Sequence, residues 1–231
     1  MLEAISGDYI GRLVAERDLS SIRVRTGTLA KLDRVERIIF VGSTCVGKTT
    51  LEAAIRNACQ TDQLLAESVS VPQRVVIRPP RLDDKNDIYF CSADDFRRMV
   101  LGNTLGLYGV KLMENGREEP YGYLRPTNGT FPIFFANNQT IKNKTSVHPE
   151  GVLQNALIIL IYATDIIREE RLRRRSPQLF ETHPDEVAFR LSKEERAIRL
   201  VSEAHLIVKN YGRFAGRSSL DVILLIKELL K

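Results

Sequence analysis

An α/β fold with a central parallel sheet is the class this sequence predicts, and three observations predict it. Short apolar, β-branched runs at residues 37–41, 131–136 and 157–162 read as buried strands. Stretches of helical periodicity separate them, which implies parallel strands joined by right-handed crossovers. The first run leads directly into Gly42-Ser43-Thr44-Cys45-Val46-Gly47-Lys48-Thr49, which fits G-x-x-x-x-G-K-[ST] at every specified position and is followed by a helix.

That order of strand, loop, Lys-Thr and helix is what phosphate binding requires. Glycines let the backbone curl round an anion with its N–H groups turned inward, and the next helix aims the positive end of its dipole at the same place. Lys48 is expected to reach the β- and γ-phosphates and Thr49 to hold Mg²⁺. The expected nucleoside-triphosphate-binding set is Gly42, Ser43, Thr44, Cys45, Val46, Gly47, Lys48 and Thr49, with Thr50 next on the helix. The predicted architecture is the three-layer fold of the P-loop NTPases.

Length and composition agree. At 231 residues and 43% hydrophobic, the chain buries a full core in one α/β domain with a small insert or lid. The net charge of +5 is spread along the chain, which favours arginines gathered on small anionic substrates over a nucleic-acid-binding tail. Three cysteines, Cys45, Cys59 and Cys91, show no C-x-x-C spacing, so neither a zinc site nor a disulfide framework is expected, and a reducing, cytoplasmic setting is. Cys45 reads as a small filler of the loop, with an oxidation-sensitive thiol as the alternative. The apolar run 157–163 is too short to cross a membrane.

Residues 1–36 read as an N-terminal extension, with a helical stripe at Tyr9, Ile10, Leu13 and Val14 and an edge-strand alternation at 22–25. The core domain is expected over 37–217, with an insert at about 74–130 and a lid at about 166–192. Within the insert, Arg78-Pro79-Pro80-Arg81 is a stiff turn that holds two guanidiniums ready for one anion. Ser92 and Asp95 form a capping box, and the glycines of 102–130 suggest a hairpin. The lid carries Arg168, Arg171, Arg173, Arg174 and Arg175 on one helix, then Arg190 on a second helix from about 185. A strand at 205–208 follows, and Ser218 is expected to cap a final helix over 218–231. His148, His183 and His205 form no ligand set.

These landmarks, in this order from about 37 to 210, resemble guanylate kinase and its relatives, among them ribose bisphosphate kinases. The segment from Val76 to Arg81 is similar to the family's T-T-R-x-x-R, whose arginines grip the acceptor's phosphate. The run from Phe90 through Phe96 resembles F-x-S-x-x-x-F, and Tyr121-Gly122 resembles the Y-G pair, whose tyrosine touches that phosphate. Arg171-Leu172-x-x-Arg175 and Arg190-Leu191 are similar to the lid motifs R-L-x-x-R and R-L, whose arginines close over ATP and the transferring phosphoryl group. Asn210 matches the asparagine beside the adenine. The resemblance implies catalytic roles for Lys48, Arg171, Arg175 and Arg190, and acceptor binding by Arg78, Arg81, Tyr121 and Asn137. The departures lie where guanine is read: Arg74 replaces a serine, a phosphate-binding tyrosine falls at Ile88 beside Tyr89, Leu107-Tyr108 replaces a glutamate, Asn137 stands for an acidic residue, and 109–119 is extra length.

The sequence therefore predicts an ATP- and Mg²⁺-dependent kinase acting on a phosphate of a small acceptor, a nucleoside monophosphate such as GMP or a sugar phosphate. A non-catalytic module that binds phosphorylated protein would have no need of Lys48. A GTPase switch would need N-K-x-D, and Asn143-Lys144-Thr145-Ser146 lacks the aspartate.

Overall fold

The structure, a computed structural model, describes residues 5–80, 88–112, 118–127, 129–136, 153–200 and 204–231. The chain opens with helix α1 (Gly7–Glu16), which Ser6 caps by accepting the Tyr9 N–H, and which buries Ile10, Leu13 and Val14. Strand β1 (Ile22–Val24) and the one-turn helix α2 (Thr26–Leu29) follow. Then come β2 (Arg37–Val41), α3 (Lys48–Thr61), α4 (Gln63–Ser68) and the two-residue strand β3 (Val69–Ser70).

A second group of elements lies between this part and the remaining core. Strands β4 (Arg74–Val76) and β5 (Ile88–Phe90) precede α5 (Ala93–Leu101), which starts where the Ser92 hydroxyl accepts the Asp95 N–H at 3.0 Å. A hairpin of β6 (Leu105–Leu112) and β7 (Glu118–Leu124) completes it, as the glycine pattern predicts. The core resumes with β8 (Phe131–Ala136) and β9 (Ala156–Tyr162). Helices α6 (Asp165–Arg175), α7 (Pro177–Thr182) and α8 (Pro184–Leu200) follow, then β10 (Leu206–Lys209) and α9 (Arg217–Leu229).

The central sheet has six strands in the order β1-β10-β9-β2-β8-β3. Neighbours from β10 through β3 are parallel, and β1 pairs antiparallel with β10 at the edge. The fold is thus mixed α/β with a parallel-rich sheet, compatible with a P-loop NTPase-like fold. The segment read as an N-terminal extension supplies that edge strand, its Ile22 facing Val208 across the ladder. Strand β2 is central because its residues are apolar on both faces: Ile38, Ile39, Phe40 and Val41 are fully buried between β9 and β8. Each such Ile or Phe side chain contributes about 1.5–3 kcal/mol of hydrophobic stabilisation.

The smaller sheet has the order β5-β4-β7-β6. Cross-strand partners share a face, so the register of Arg74 with Tyr123 and of Val76 with Tyr121 puts these four side chains on one side. Leu107, opposite Tyr123, joins them. Val75 lies on the other side, packed with Phe96 and Leu105. The two sheets are joined at Tyr123, whose hydroxyl donates to the Phe135 carbonyl at 2.6 Å and whose ring meets Phe134 edge-on at 5.8 Å. Burial pushes the Tyr123 phenol well above its ordinary value, which keeps it a donor.

Two readings of local chemistry change. The last helix begins at Arg217 with Gly216 as its N-cap, so Ser218 does not cap it; the Ser218 hydroxyl turns inward to the Asn210 amide oxygen at 3.3 Å. Helix α7 is an additional element between the two arginine-bearing helices, with Pro177 at its start, where a missing N–H is harmless.

Candidate active site

The candidate site lies at the C-terminal end of β2, where its chain leaves the sheet and curls before α3. Two glycines are required there. A Cβ on Gly42 would lie 2.8 Å from the Ile161 carbonyl oxygen of β9, and 2.7 Å from a Val46 methyl. Gly47 has φ +100°, and a Cβ there would lie 2.1 Å from the Asn210 amide nitrogen. Cys45 also has positive φ, 64°, unusual for a residue with a side chain. Such left-handed residues among right-handed ones form the concave backbone turn that receives anions, and the first turn of α3 opens directly from it.

The predicted residues of this loop fall as follows. Ser43 and Val46 are buried, while Thr49 and Thr50 are exposed on the first turn of α3. The Lys48 ammonium folds over the loop and donates to the Gly42 carbonyl and, at 2.7 Å, to the Ser43 carbonyl. Asn210, just past β10, donates its amide to the Val46 carbonyl at 2.6 Å, and its own N–H is held by the Tyr162 carbonyl at the end of β9.

Arginines of α6 and α8 gather against the same loop. Arg171 donates to the Cys45 carbonyl at 3.2 Å and to the Asn210 carbonyl at 2.9 Å. Its desolvation lowers its pKa from the usual guanidinium value. Arg175, Arg168, Lys48 and Arg190 are all near enough to Cys45 to favour its thiolate, yet burial outweighs them and pushes the thiol up. Cys45 is therefore a protonated, poorly nucleophilic side chain at neutral pH, which fits the filler reading. Arg190 pairs with Glu186 one turn earlier on α8. Arg173 and Arg174 point outward and pair with Glu169 and Glu170.

Arg168 is the residue that sequence reasoning counted but did not single out. It is fully buried, and its guanidinium reaches the Thr44 carbonyl of the loop, the Asp165 carboxylate, and the Arg190 and Leu191 carbonyls of α8. The available signal was the stripe of 168, 171 and 175 on one helix face, with 173 and 174 already matched to glutamates four residues earlier.

Of the residues expected to bind the acceptor, Arg78 follows β4 and stands 5.8 Å above the Phe90 ring, with one guanidinium N–H on the Pro79 carbonyl at 2.9 Å. Tyr121 is half-buried on the face that β4 and β7 share. Arg81 and Asn137 lie outside the described residues. Tyr89 pairs with Val75, which puts it on the opposite face from Tyr121, 47% exposed, so it does not stand in for the missing tyrosine at 88. Leu107 is fully buried. Arg74 reaches across to Glu52 of α3 at 3.4 Å. That carboxylate is itself buried, with its other oxygen on Arg56 at 3.0 Å, and Arg56 also donates to the Val71 carbonyl. Glu52 was not foreseen either; it ties the helix behind the loop to the strand before Arg78.

Among the described residues, no three His, Cys, Asp or Glu side chains are grouped to hold a metal ion, and no helix is long and apolar enough to cross a membrane. The exposed Thr49 hydroxyl, a hard oxygen donor at the loop, fits Mg²⁺ only as one ligand among phosphate and water oxygens.

No protein-family model matches the chain, and no curated protein matches it by sequence. Solved structures do match. A guanylate kinase from Anaplasma phagocytophilum aligns with a TM-score of 0.51 at 17% identity, over 85% of this chain and 88% of that one. A protein from Thermus thermophilus aligns with a TM-score of 0.40 at 15% identity, over 86% of this chain and the whole of that one, too distant to weigh. The fold of this chain is similar to that of a guanylate kinase.

Proposed function

We propose that this chain is an ATP-dependent phosphotransferase of the guanylate-kinase type, which moves the γ-phosphoryl group of ATP to a phosphate of a small acceptor, a nucleoside monophosphate such as GMP. The observation that carries the reading is a loop with two positive-φ residues at the start of a helix, its carbonyls held by Lys48 and Arg171. In the reaction an acceptor phosphate oxygen attacks the γ-phosphorus, the bond to the β–γ bridging oxygen breaks, and ADP leaves with the electron pair. The protein's contribution is position and charge. Loop N–H groups and Lys48 hold the phosphates, and the arginines offset the charge that spreads over the transferring group. Thr49, with the phosphates, would hold Mg²⁺, which would supply further charge neutralisation. Arg78, Arg81, Tyr121 and Asn137 are assigned to the acceptor. Helices α6 to α8 form the lid, and the reaction takes place in the cleft between the two sheets.

A second reading, a sugar-phosphate acceptor of the ribose bisphosphate type, is favoured by one observation. On the acceptor face Leu107 is buried, and Glu52 has one oxygen on Arg56 and the other on Arg74. A carboxylate so engaged does not accept from guanine's N–H groups, and a site without such pairing rejects other acceptors poorly.

The test is an assay of ADP formation with GMP, AMP, other monophosphates and ribose bisphosphate in parallel, on the wild type and Arg78→Ala. Acceptor-dependent turnover is expected, with a raised KM for the acceptor in the variant. GMP preferred over AMP by orders of magnitude would end the second reading. No acceptor-dependent ADP with any of them would overturn the first.

A further inference from the structure

We propose that Arg168 is a positioning residue that sets the orientation of the phosphate loop's peptides and latches helix α8 to it. The inference rests on the loop being the nucleotide site. Three consecutive loop carbonyls are each held by a side chain from outside the loop. Thr44 is held by Arg168 Nε at 3.0 Å, Cys45 by Arg171 at 3.2 Å, and Val46 by Asn210 at 2.6 Å. In a trans peptide the C=O and the following N–H point in opposite directions. Fixing these carbonyls therefore turns the N–H groups of Cys45, Val46 and Gly47 away from the three side chains, toward the concave side where an anion is received. Arg171 and Asn210 are further joined to each other, through the Asn210 carbonyl.

Arg168 extends this belt to the lid. Its Nη1 donates to the Leu191 carbonyl at 3.0 Å and its Nη2 to the Arg190 carbonyl at 2.9 Å. One rigid fork thus joins the loop, α6 and the stretch of α8 that carries Arg190. The demand is specific to arginine: a planar guanidinium presents N–H groups in several fixed directions, whereas a lysine ammonium on the same stem is a single point of donation. The ion pair with Asp165 is secondary, because that carboxylate is 63% exposed. Full burial of the guanidinium among carbonyl oxygens separates it from its exposed neighbours: Arg173 pairs with Glu169 and stacks on the Phe180 ring at 4.0 Å, and Arg174 pairs with Glu170.

The experiment compares wild type, Arg168→Lys, Arg168→Gln and the control Arg173→Gln. Two quantities are read: affinity for Mg·ATP by calorimetry, and hydrogen exchange of the amides of residues 42–48 and 186–191. Melting temperature confirms that each variant is folded. Arg168→Lys and Arg168→Gln are expected to weaken ATP at least tenfold. Exchange in both segments should rise together, while β2 and β9 stay as protected as in wild type. Arg173→Gln should match wild type within twofold. If the glutamine variant fails to fold, the lysine variant carries the comparison. ATP affinity and loop exchange within twofold of wild type in a folded Arg168 variant would overturn the proposal, and so would exchange that rises equally in β2 and β9. A wild type that binds ATP but transfers no phosphoryl group would refute the proposed function and leave the latch to be judged by these same readings. If the wild type binds no ATP, exchange alone decides the latch.

Discussion

Replacing Gly47 by alanine tests the loop geometry most severely for the smallest change. Two terms add. At φ +100° an L-residue is strained, and such backbone strain costs about 1–3 kcal/mol. The new methyl carbon would lie 2.1 Å from the Asn210 amide nitrogen, so that side chain must move and its buried hydrogen bond to the Val46 carbonyl is lost. Leaving a buried acceptor unmatched costs about 1–3 kcal/mol. The expected destabilisation is therefore about 2–6 kcal/mol, a large share of the 5–15 kcal/mol that typically holds a domain together. The stability assay is urea denaturation, read as a shift of midpoint at constant m-value. The paired functional assay is Mg·ATP affinity, which should fall because the Asn210 contact orients the loop. A variant as stable as wild type with unchanged ATP affinity would refute the reasoning and show that the loop does not need this backbone conformation.

Tyr123→Phe should keep the ring packing on Phe134 and lose only the bond to the Phe135 carbonyl, a loss of about 1–3 kcal/mol by denaturant titration; no change would mean that the hydroxyl does not couple the two sheets. Asp62 accepts from the Lys227 ammonium at 2.5 Å, a contact that joins α9 to the turn between α3 and α4 and holds the Asp62 carboxyl below its ordinary 3.8. A lowered carboxyl pKa stabilises the fold above the unfolded value and ceases to do so as pH falls through the folded one. Wild type should accordingly melt above Asp62→Asn at pH 7, with the gap closing as pH drops below 3.8. A gap independent of pH would assign the difference to something other than charge.

The strand, loop and helix at 37–61 were legible because their signals are local. A β-branched run, two glycines at fixed spacing and Lys48-Thr49 occupy consecutive residues, and β9 announces itself by being apolar on both faces. The hairpin of β6 and β7 was similarly visible in its glycines. What stayed hidden depends on which face a helix turns to its neighbours. Arg168 sits among five arginines in eight residues; the local pattern sets 168, 171 and 175 apart from 173 and 174, but does not say which of those three is fully buried. Glu52 reads as an ordinary helix residue until Arg74 arrives from a strand 22 positions later. Ser218 failed as a cap because the helix begins one residue earlier, at Arg217, which puts Ser218 inside the first turn, where its hydroxyl donates to Asn210. The edge-strand alternation at 22–25 was legible, but not its partner; its place is fixed by pairing with β10. On the acceptor side, pleat decides: Tyr89 is one residue from the position where a tyrosine was sought, and one residue is a change of face.

In the proposed reaction the Gly42–Thr49 loop supports transfer of a phosphoryl group from ATP to a phosphorylated acceptor. The most direct measurement is a single-turnover assay with γ-labelled ATP and Mg²⁺ against a pool of nucleoside monophosphates and ribose bisphosphate, run on wild type and on Lys48→Ala, with melting curves of both. The expected result is label in an acceptor with wild type, its loss by at least a hundredfold in Lys48→Ala, and melting temperatures that agree within a few degrees. Label that reaches no acceptor with wild type, or reaches it equally with the folded variant, would contradict the claim.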